Sequence, residues 1–269
     1  MMKHLTTLLL ASAALSSPAF AADFYADAPA VQPMAEAAVS DWTGFNVGIF
    51  GGAAFNPSDP GVLQIDQDLD GNFDEPLVAP LLAAFGVAFS GSRDSGITGG
   101  IAAGYDLQID QFVVGGIVDI AYVDYADSQS GFSTTPVNYT ERREVGALAT
   151  ARVRAGYLIT NDVLAYVHGG LAAADVDNSF TSPGNPNGVT TGGDDIQFGY
   201  QVGVGIETRV ADNITIGAEY AYTNLGDNDF NNRYANGPFD DVSPAGSDLR
   251  GSDRIFDFHT VKGTVKFHF

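Results

Sequence analysis

Residues 196–209 read Ile196-Gln197-Phe198-Gly199-Tyr200-Gln201-Val202-Gly203-Val204-Gly205-Ile206-Glu207-Thr208-Arg209. In an extended chain Ile196, Phe198, Tyr200, Val202, Val204 and Ile206 share one face, and Gln197, Gly199, Gln201, Gly203, Gly205, Glu207 and Arg209 share the other. A soluble half-buried strand would turn its apolar face inward and show water the other one, yet a face this rich in glycine makes a poor soluble surface. With the apolar face toward lipid and the small or polar face toward an interior, the segment reads instead as one strand of a membrane β-barrel. After the short link Ala211-Asp212-Asn213 the alternation resumes, with Ile214, Ile216, Ala218, Tyr220 and Tyr222 outward and Thr215, Gly217, Glu219 and Thr223 inward. Two long strands joined this tightly form a hairpin.

Outward from this hairpin the same reading gives strands at 42–55, 95–108, 112–125, 144–157, 163–177 and 255–269. The expected fold is therefore all-β, an eight-stranded antiparallel transmembrane β-barrel occupying 41–269. In 163–177 the small residues Gly169, Gly170, Ala172, Ala173 and Ala174 leave the two faces indistinguishable. The connections alternate in length, short at 109–110, 159–162 and 211–213 and long at 56–94, 126–143, 178–195 and 226–254. Short periplasmic turns and long outer loops are the rule for such barrels, which puts both chain ends on the periplasmic side.

Residues 1–21 combine Lys3, an apolar run from Leu5 to Leu15 and the small-x-small ending Ala19-Phe20-Ala21, the pattern of a cleaved secretory signal peptide. Residues 22–40, rich in alanine and proline, read as a periplasmic N-terminal leader. No stretch is long and apolar enough for a spanning helix. The chain carries 32 Gly, 18 Phe and 11 Tyr, a composition of strands, bends and tight interiors, and no cysteine, so an exported protein must be stabilised without disulfides. Its formal charge of −21 excludes binding nucleic acid through the phosphates and makes divalent cations the more natural partners.

The inward positions carry Asp106, Asp119, Arg152, Arg154, Glu207, Arg209, Glu219, Lys262 and Lys266. Eight strands enclose a space about wide enough for side chains to fill, and charges removed from water are costly unless paired. This mixed set is expected to form a self-neutralising polar network that plugs the lumen.

Several stretches resemble the alphaproteobacterial outer-membrane β-barrel family of porin-like surface antigens, related in architecture to OmpA-type barrels. They are Trp42-Thr43-Gly44-Phe45, Thr150-Ala151-Arg152-Val153-Arg154-Ala155-Gly156-Tyr157, Tyr166-Val167-His168-Gly169-Gly170-Leu171-Ala172, Gly203-Val204-Gly205-Ile206-Glu207, Ala218-Glu219-Tyr220, and the closing stretch from His259-Thr260-Val261-Lys262 to Phe267-His268-Phe269. The resemblance covers the strands and not the loops. It implies a barrel of the Gram-negative outer membrane that serves the envelope structurally and displays surface loops, with no catalytic residues to carry over. It also implies that Val265, Phe267 and the terminal Phe269, which share the outward face, are the signal read by the barrel-insertion machinery, which receives such chains from periplasmic chaperones.

The sharpest loop motif is Asp66-Gln67-Asp68-Leu69-Asp70-Gly71-Asn72-Phe73-Asp74-Glu75. Oxygen ligands at Asp66, Asp68, Asp70, Asn72 and Asp74, with Gly71 at the sharp turn, resemble the first half of an EF-hand loop and mark a candidate calcium site. The twelfth position is Leu77 rather than a glutamate, so a complete EF-hand is not expected; no cofactor is required. In the last loop Asp227, Asp229, Asp240, Asp241, Asp248 and Asp253 lie among Arg233, Arg250 and Arg254, the mixed charge of a solvated loop. His168 and His259 have no sequence-defined catalytic partner, so no enzyme is expected. The leading functional expectation is a structural and surface-interaction barrel contributing to envelope integrity, in contact with lipid and lipopolysaccharide. A narrow porin-like channel for small solutes stands second and an outer-membrane enzyme third.

Overall fold

A computed structural model of the chain describes residues 41–73, 76–77, 82, 89–132, 138–182, 189–191, 196–226, 231–234 and 245–269. The expected signal peptide and leader, and Asp74 of the acidic loop, lie outside the described residues. In chain order the strands are β1 (Gly44–Phe55), β2 (Leu63–Asp66), β3 (Phe89–Asp94), β4 (Gly96–Ile109), β5 (Phe112–Phe132), β6 (Asn138–Thr160), β7 (Val163–Thr181), β8 (Val189–Thr191), β9 (Ile196–Ala211), β10 (Ile214–Asn224), β11 (Asn232–Tyr234), β12 (Ser247–Gly251) and β13 (Asp257–His268).

Eight of these strands close on themselves in the order β1-β4-β5-β6-β7-β9-β10-β13, every neighbouring pair antiparallel. Closure runs from Asn46 opposite His268 to Phe55 opposite His259, so the first and last wall strands pair and the ring has no free edge at membrane depth. The outside is the apolar face: Phe45, Ile49, Ile101, Ile120, Val153, Leu171, Phe198 and Val204 are all exposed. The ambiguous strand β7 resolves with Leu164, Tyr166, His168, Ala172, Ala174 and Val176 buried inside. At the periplasmic end β4 and β5 are joined by Asp110-Gln111, with Asp110 in the left-handed region (φ 54°) that a two-residue hairpin turn demands.

The outer end departs from the sequence expectation. β5 and β6 run on to Phe132 and from Asn138, and β3 adds to the upper edge of β5 from Phe89 opposite Gly131 to Asp94 opposite Ala126. Most of the expected loop 126–143 is therefore strand. Segments of three other long connections assemble a second sheet in the order β2-β12-β11-β8. This cap has an apolar cluster of its own: Leu63, Ile65, Tyr234 and Leu249 pack on Tyr139 of β6, with Leu77, Phe89 and Phe180 alongside. The solvated-loop reading is corrected for Arg233, Asp248 and Arg250, because Asp248 is buried and takes both a bond from Arg233 Nε and a 2.9 Å bond from its Nη2, while Arg250 lies 3.7 Å over the Phe73 ring; Asp227, Asp229, Asp240 and Asp241 lie outside the described residues.

Candidate functional site

The buried side chains inside the ring lie in successive layers. At the periplasmic mouth Trp42, fully buried, packs with Val113, Leu158, Leu164 and Tyr166. Its indole N–H donates to the carbonyl of Asn161 at 3.0 Å in the turn between β6 and β7, on the side of the ring opposite β1. Its backbone N–H donates to Gln108 Oε1 at 2.9 Å. One side chain thus bolts the two walls together.

Above it lie the ion pairs. Arg154 on β6 donates from Nε to Asp106 Oδ1 (2.7 Å) and from Nη1 to Glu207 on β9 (3.0 Å), and Lys266 of β13 closes on Glu207 as well. Asn46 adds a 2.7 Å bond to Asp106. One level further out Arg152 bonds Asp119 of β5 and, at 2.9 Å, Glu219 of β10. Lys262 meets Glu219 at 2.7 Å, Thr150 donates to Asp119 at 2.6 Å and Tyr166 to Glu219 at 3.1 Å. Four carboxylates (Asp106, Asp119, Glu207, Glu219) face four cations (Arg152, Arg154, Lys262, Lys266), so the network is formally neutral. Arg152 and Glu219 stand on strands separated by β7 and β9 in the wall, which means that their bond crosses the lumen. The inward glycines on β9 give this network its room, since a side chain at Gly203 would strike His168 and one at Gly205 the Tyr166 ring.

Arg209 is the exception among the charged residues expected in this network. It sits at the periplasmic mouth, where it stacks 4.9 Å over the Trp42 ring and donates to the carbonyls of Asp212 and Asp41 at 3.0 Å each. The remaining eight are all buried inside the ring.

Over the ion pairs lies an apolar layer that inward parity allows but charge patterning does not announce: Ala54, Ala121, Val123, Tyr125, Val145, Leu148, Ala174, Val176, Leu225, Phe256 and Phe258 form one cluster. Tyr125 of β5 lies 5.3 Å from Phe258 of β13, again across the lumen, and 5.7 Å from Phe256. A third charged layer follows. Arg143 holds Asp127 through Nε (3.0 Å) and Nη2 (2.6 Å) and donates to the carbonyls of Asp253 (2.8 Å) and Arg254 (3.0 Å), and Arg93 pairs with Asp253. Beside it Glu141 is buried with Oε2 unbonded, and burial pushes its carboxyl up to about 8.

In the acidic loop the Asp66, Asp68 and Asp70 carboxylates each place an oxygen within 4.8 Å of the others. Asp66, itself buried, accepts the N–H of Leu69 (2.8 Å) and of Gly71 (2.9 Å), and Asp70 accepts that of Asn72 (2.8 Å). At the other end of the chain Val265, Phe267 and Phe269 are exposed on the lipid face, with Phe267 and Phe269 in edge contact at 4.9 Å.

A closed eight-stranded ring with an apolar outside and a filled, charge-paired inside defines an outer-membrane β-barrel. The sequence matches the family model described as outer membrane protein beta-barrel domain over residues 7–269, and the chain belongs to that family, as a protein of the Gram-negative outer membrane. It is 30% identical over 229 residues to the 31 kDa outer-membrane immunogenic protein of Brucella melitensis, covering 82% of this chain and 87% of that one. It is 32% identical over 139 residues to the 22 kDa outer membrane protein of Rhizobium leguminosarum, covering 50% and 56% of the two chains. The alphaproteobacterial resemblance read from the strands is therefore met, and these relatives are named as outer-membrane and immunogenic proteins rather than as enzymes. Among solved structures, the outer membrane protein OprG of Pseudomonas aeruginosa aligns with a TM-score of 0.48 at 14% identity, covering 86% of this chain and all of that one.

Proposed function

We propose that this barrel is a non-conducting, non-enzymatic component of the outer membrane that contributes to envelope integrity and presents a folded cap for surface interactions. The observation that carries this reading is the apolar layer around Tyr125, Phe256 and Phe258, stacked between two layers of paired charge. Ions crossing an eight-stranded lumen need a continuous wet path, and a packed layer whose lining is mostly aliphatic and aromatic, with the unbonded Tyr125 hydroxyl as a polar group within it, replaces little of an ion's hydration shell. Planar bilayers containing the refolded protein are expected to show no stable conductance steps on the nanosiemens scale; such steps would replace this reading with the porin-like one.

Two local roles complete the proposal. Phe269 serves the insertion machinery, so deleting it is expected to reduce the folded, heat-modifiable fraction recovered from outer membranes; an unchanged fraction would remove this role. The acidic loop binds calcium weakly, at about 10⁻⁴–10⁻³ M as extracellular modules do, supported by the convergence of Asp66, Asp68 and Asp70. Calcium titration of the Asp68→Ala, Asp70→Ala double variant is expected to lose this binding, and equal binding by both proteins would disprove it.

A further inference from the structure

The lipid-facing side of β1, β13, β10 and β9 ends at its outer rim in a cluster unlike the apolar rows beneath it. Register puts Phe55 opposite His259, His259 opposite Tyr222, and Asp257 opposite Asn224, with Tyr200 opposite Asn224 on the far side. The His259 ring lies 5.8 Å from Phe55 at 29° and 5.7 Å from Tyr220 at 19°, and His259 Nδ1 is 2.7 Å from the Tyr220 hydroxyl. The Asp257 carboxylate accepts the Tyr222 hydroxyl at 2.8 Å and Asn56 Nδ2 at 2.7 Å. Tyr220 and Tyr200 are exposed, and Phe55, Asn56, Tyr222, Asn224, Asp257 and His259 are half-buried.

Aromatic rings at a membrane boundary are general to barrels. A carboxylate held between a tyrosine hydroxyl and an asparagine amide on the lipid-facing side is not explained by that rule. Among the described residues no arginine or lysine pairs with Asp257, so the cluster presents ring faces, amides and one negative charge. We propose that it is a saccharide-binding platform for the sugar headgroup of an outer-leaflet glycolipid. Ring faces cover the C–H face of a pyranose, while the carboxylate and amides pair with its hydroxyls. A phosphate would meet an uncompensated carboxylate here, which disfavours it. The occupant lies in the membrane because the cluster looks sideways, continuing upward the lipid-facing rows of Ala53, Val261 and Val204. The inference rests on membrane placement alone and is independent of whether the lumen conducts.

The test measures binding of folded protein in detergent micelles to four probes: rough lipopolysaccharide, the same molecule dephosphorylated, phosphatidylglycerol, and the free core oligosaccharide. The Tyr222→Ala, Asp257→Ala double variant is expected to bind both forms of the glycolipid at least about tenfold more weakly than the parent, with phosphatidylglycerol unaffected. Tyr122→Ala, which removes an exposed outward aromatic from β5, is expected to change binding by less than about twofold. Heat-modifiable migration checks folding of each variant. Should the double variant not fold, Asp257→Asn, which keeps the shape and removes the charge, is expected to weaken glycolipid binding about threefold or more. Unchanged binding by the patch variants, an equal loss in Tyr122→Ala, loss of binding on dephosphorylation, or free oligosaccharide binding as tightly as the glycolipid would each overturn the proposal.

Discussion

The charged layers at membrane depth and the charged layer beneath the cap both consist largely of buried side chains, yet they are built to different standards. At membrane depth every formal charge has a partner of opposite sign from another strand, and Arg154 alone joins β6 to β4 and β9. In the outer layer Arg143 uses its N–H groups on Asp127 and on two carbonyls, leaving Glu141, two residues away on the same strand, with a buried oxygen that bonds nothing. The difference teaches that the fold is strict about charge pairing at membrane depth and looser about single hydrogen bonds, since Arg152 Nε, Thr260 Oγ1 and Thr264 Oγ1 are buried and unbonded there. A wall strand in lipid has no water to turn to, whereas the cap can loosen.

The sharpest way to break the comparison is to remove one charge from the charge-paired network. Arg154→Met leaves Asp106 and Glu207 facing each other's field with only Lys266 to balance two buried carboxylates. A loss of about 3–5 kcal/mol is expected, because breaking a buried pair strands the remaining charge. Urea unfolding in lipid vesicles reads this as a large drop in the folded fraction. Adding Asp106→Asn to Arg154→Met restores neutrality, since Lys266 still serves Glu207, and is expected to recover most of the loss. No recovery would mean that packing against Tyr166, whose ring lies 5.1 Å from the Arg154 guanidinium, matters more than charge.

The same contrast explains what could be read from the sequence. All eight wall strands were legible, because a period of two held over ten or more residues carries the face assignment with it. Eight of the nine expected lumen charges follow from that parity. Arg209 obeys the parity too, but it lies at the mouth, where Trp42 offers a ring and two carbonyls lie within reach. The outer layer was hidden by a bulge. Between Val145 and Ala147 the register of β6 slips, so that the inward set changes from Thr150, Arg152 and Arg154 to Arg143 and Glu141. Extending the inner-face parity past Gly146 would have turned Glu144 inward, whereas it stands outside, partly exposed, with Arg142 at 3.3 Å. A one-residue slip inverts every later side chain. The cap was illegible for another reason: β2, β8, β11 and β12 contribute three to five residues each from separate connections, too few for any period to show.

The smaller and more discriminating test addresses Glu141. Its carboxyl faces Arg143 on its own strand, Asp127 on β5, and Arg250 and the backbone of Gly251 on β12, so it sits where the cap strand β12 meets the wall. Burial holds it protonated well above the ordinary carboxylate range, near 8. A group whose folded pKa is raised stabilises the fold fully below its unfolded value, near 4.5, and that contribution is lost as pH climbs through about 8. The cap is therefore expected to tighten in mild acid and loosen in mild alkali, the reverse of a carboxylate held in a salt bridge. Glu141→Gln mimics the protonated side chain and should flatten this dependence. Amide hydrogen exchange of β12, corrected for the intrinsic rate at each pH, is expected to show parent protection falling from about pH 4.5 to about pH 8 and levelling above it, while the variant stays level throughout. Parallel profiles would show that burial does not hold Glu141 protonated, and would remove the contrast in charge pairing between the outer layer and the one in the membrane.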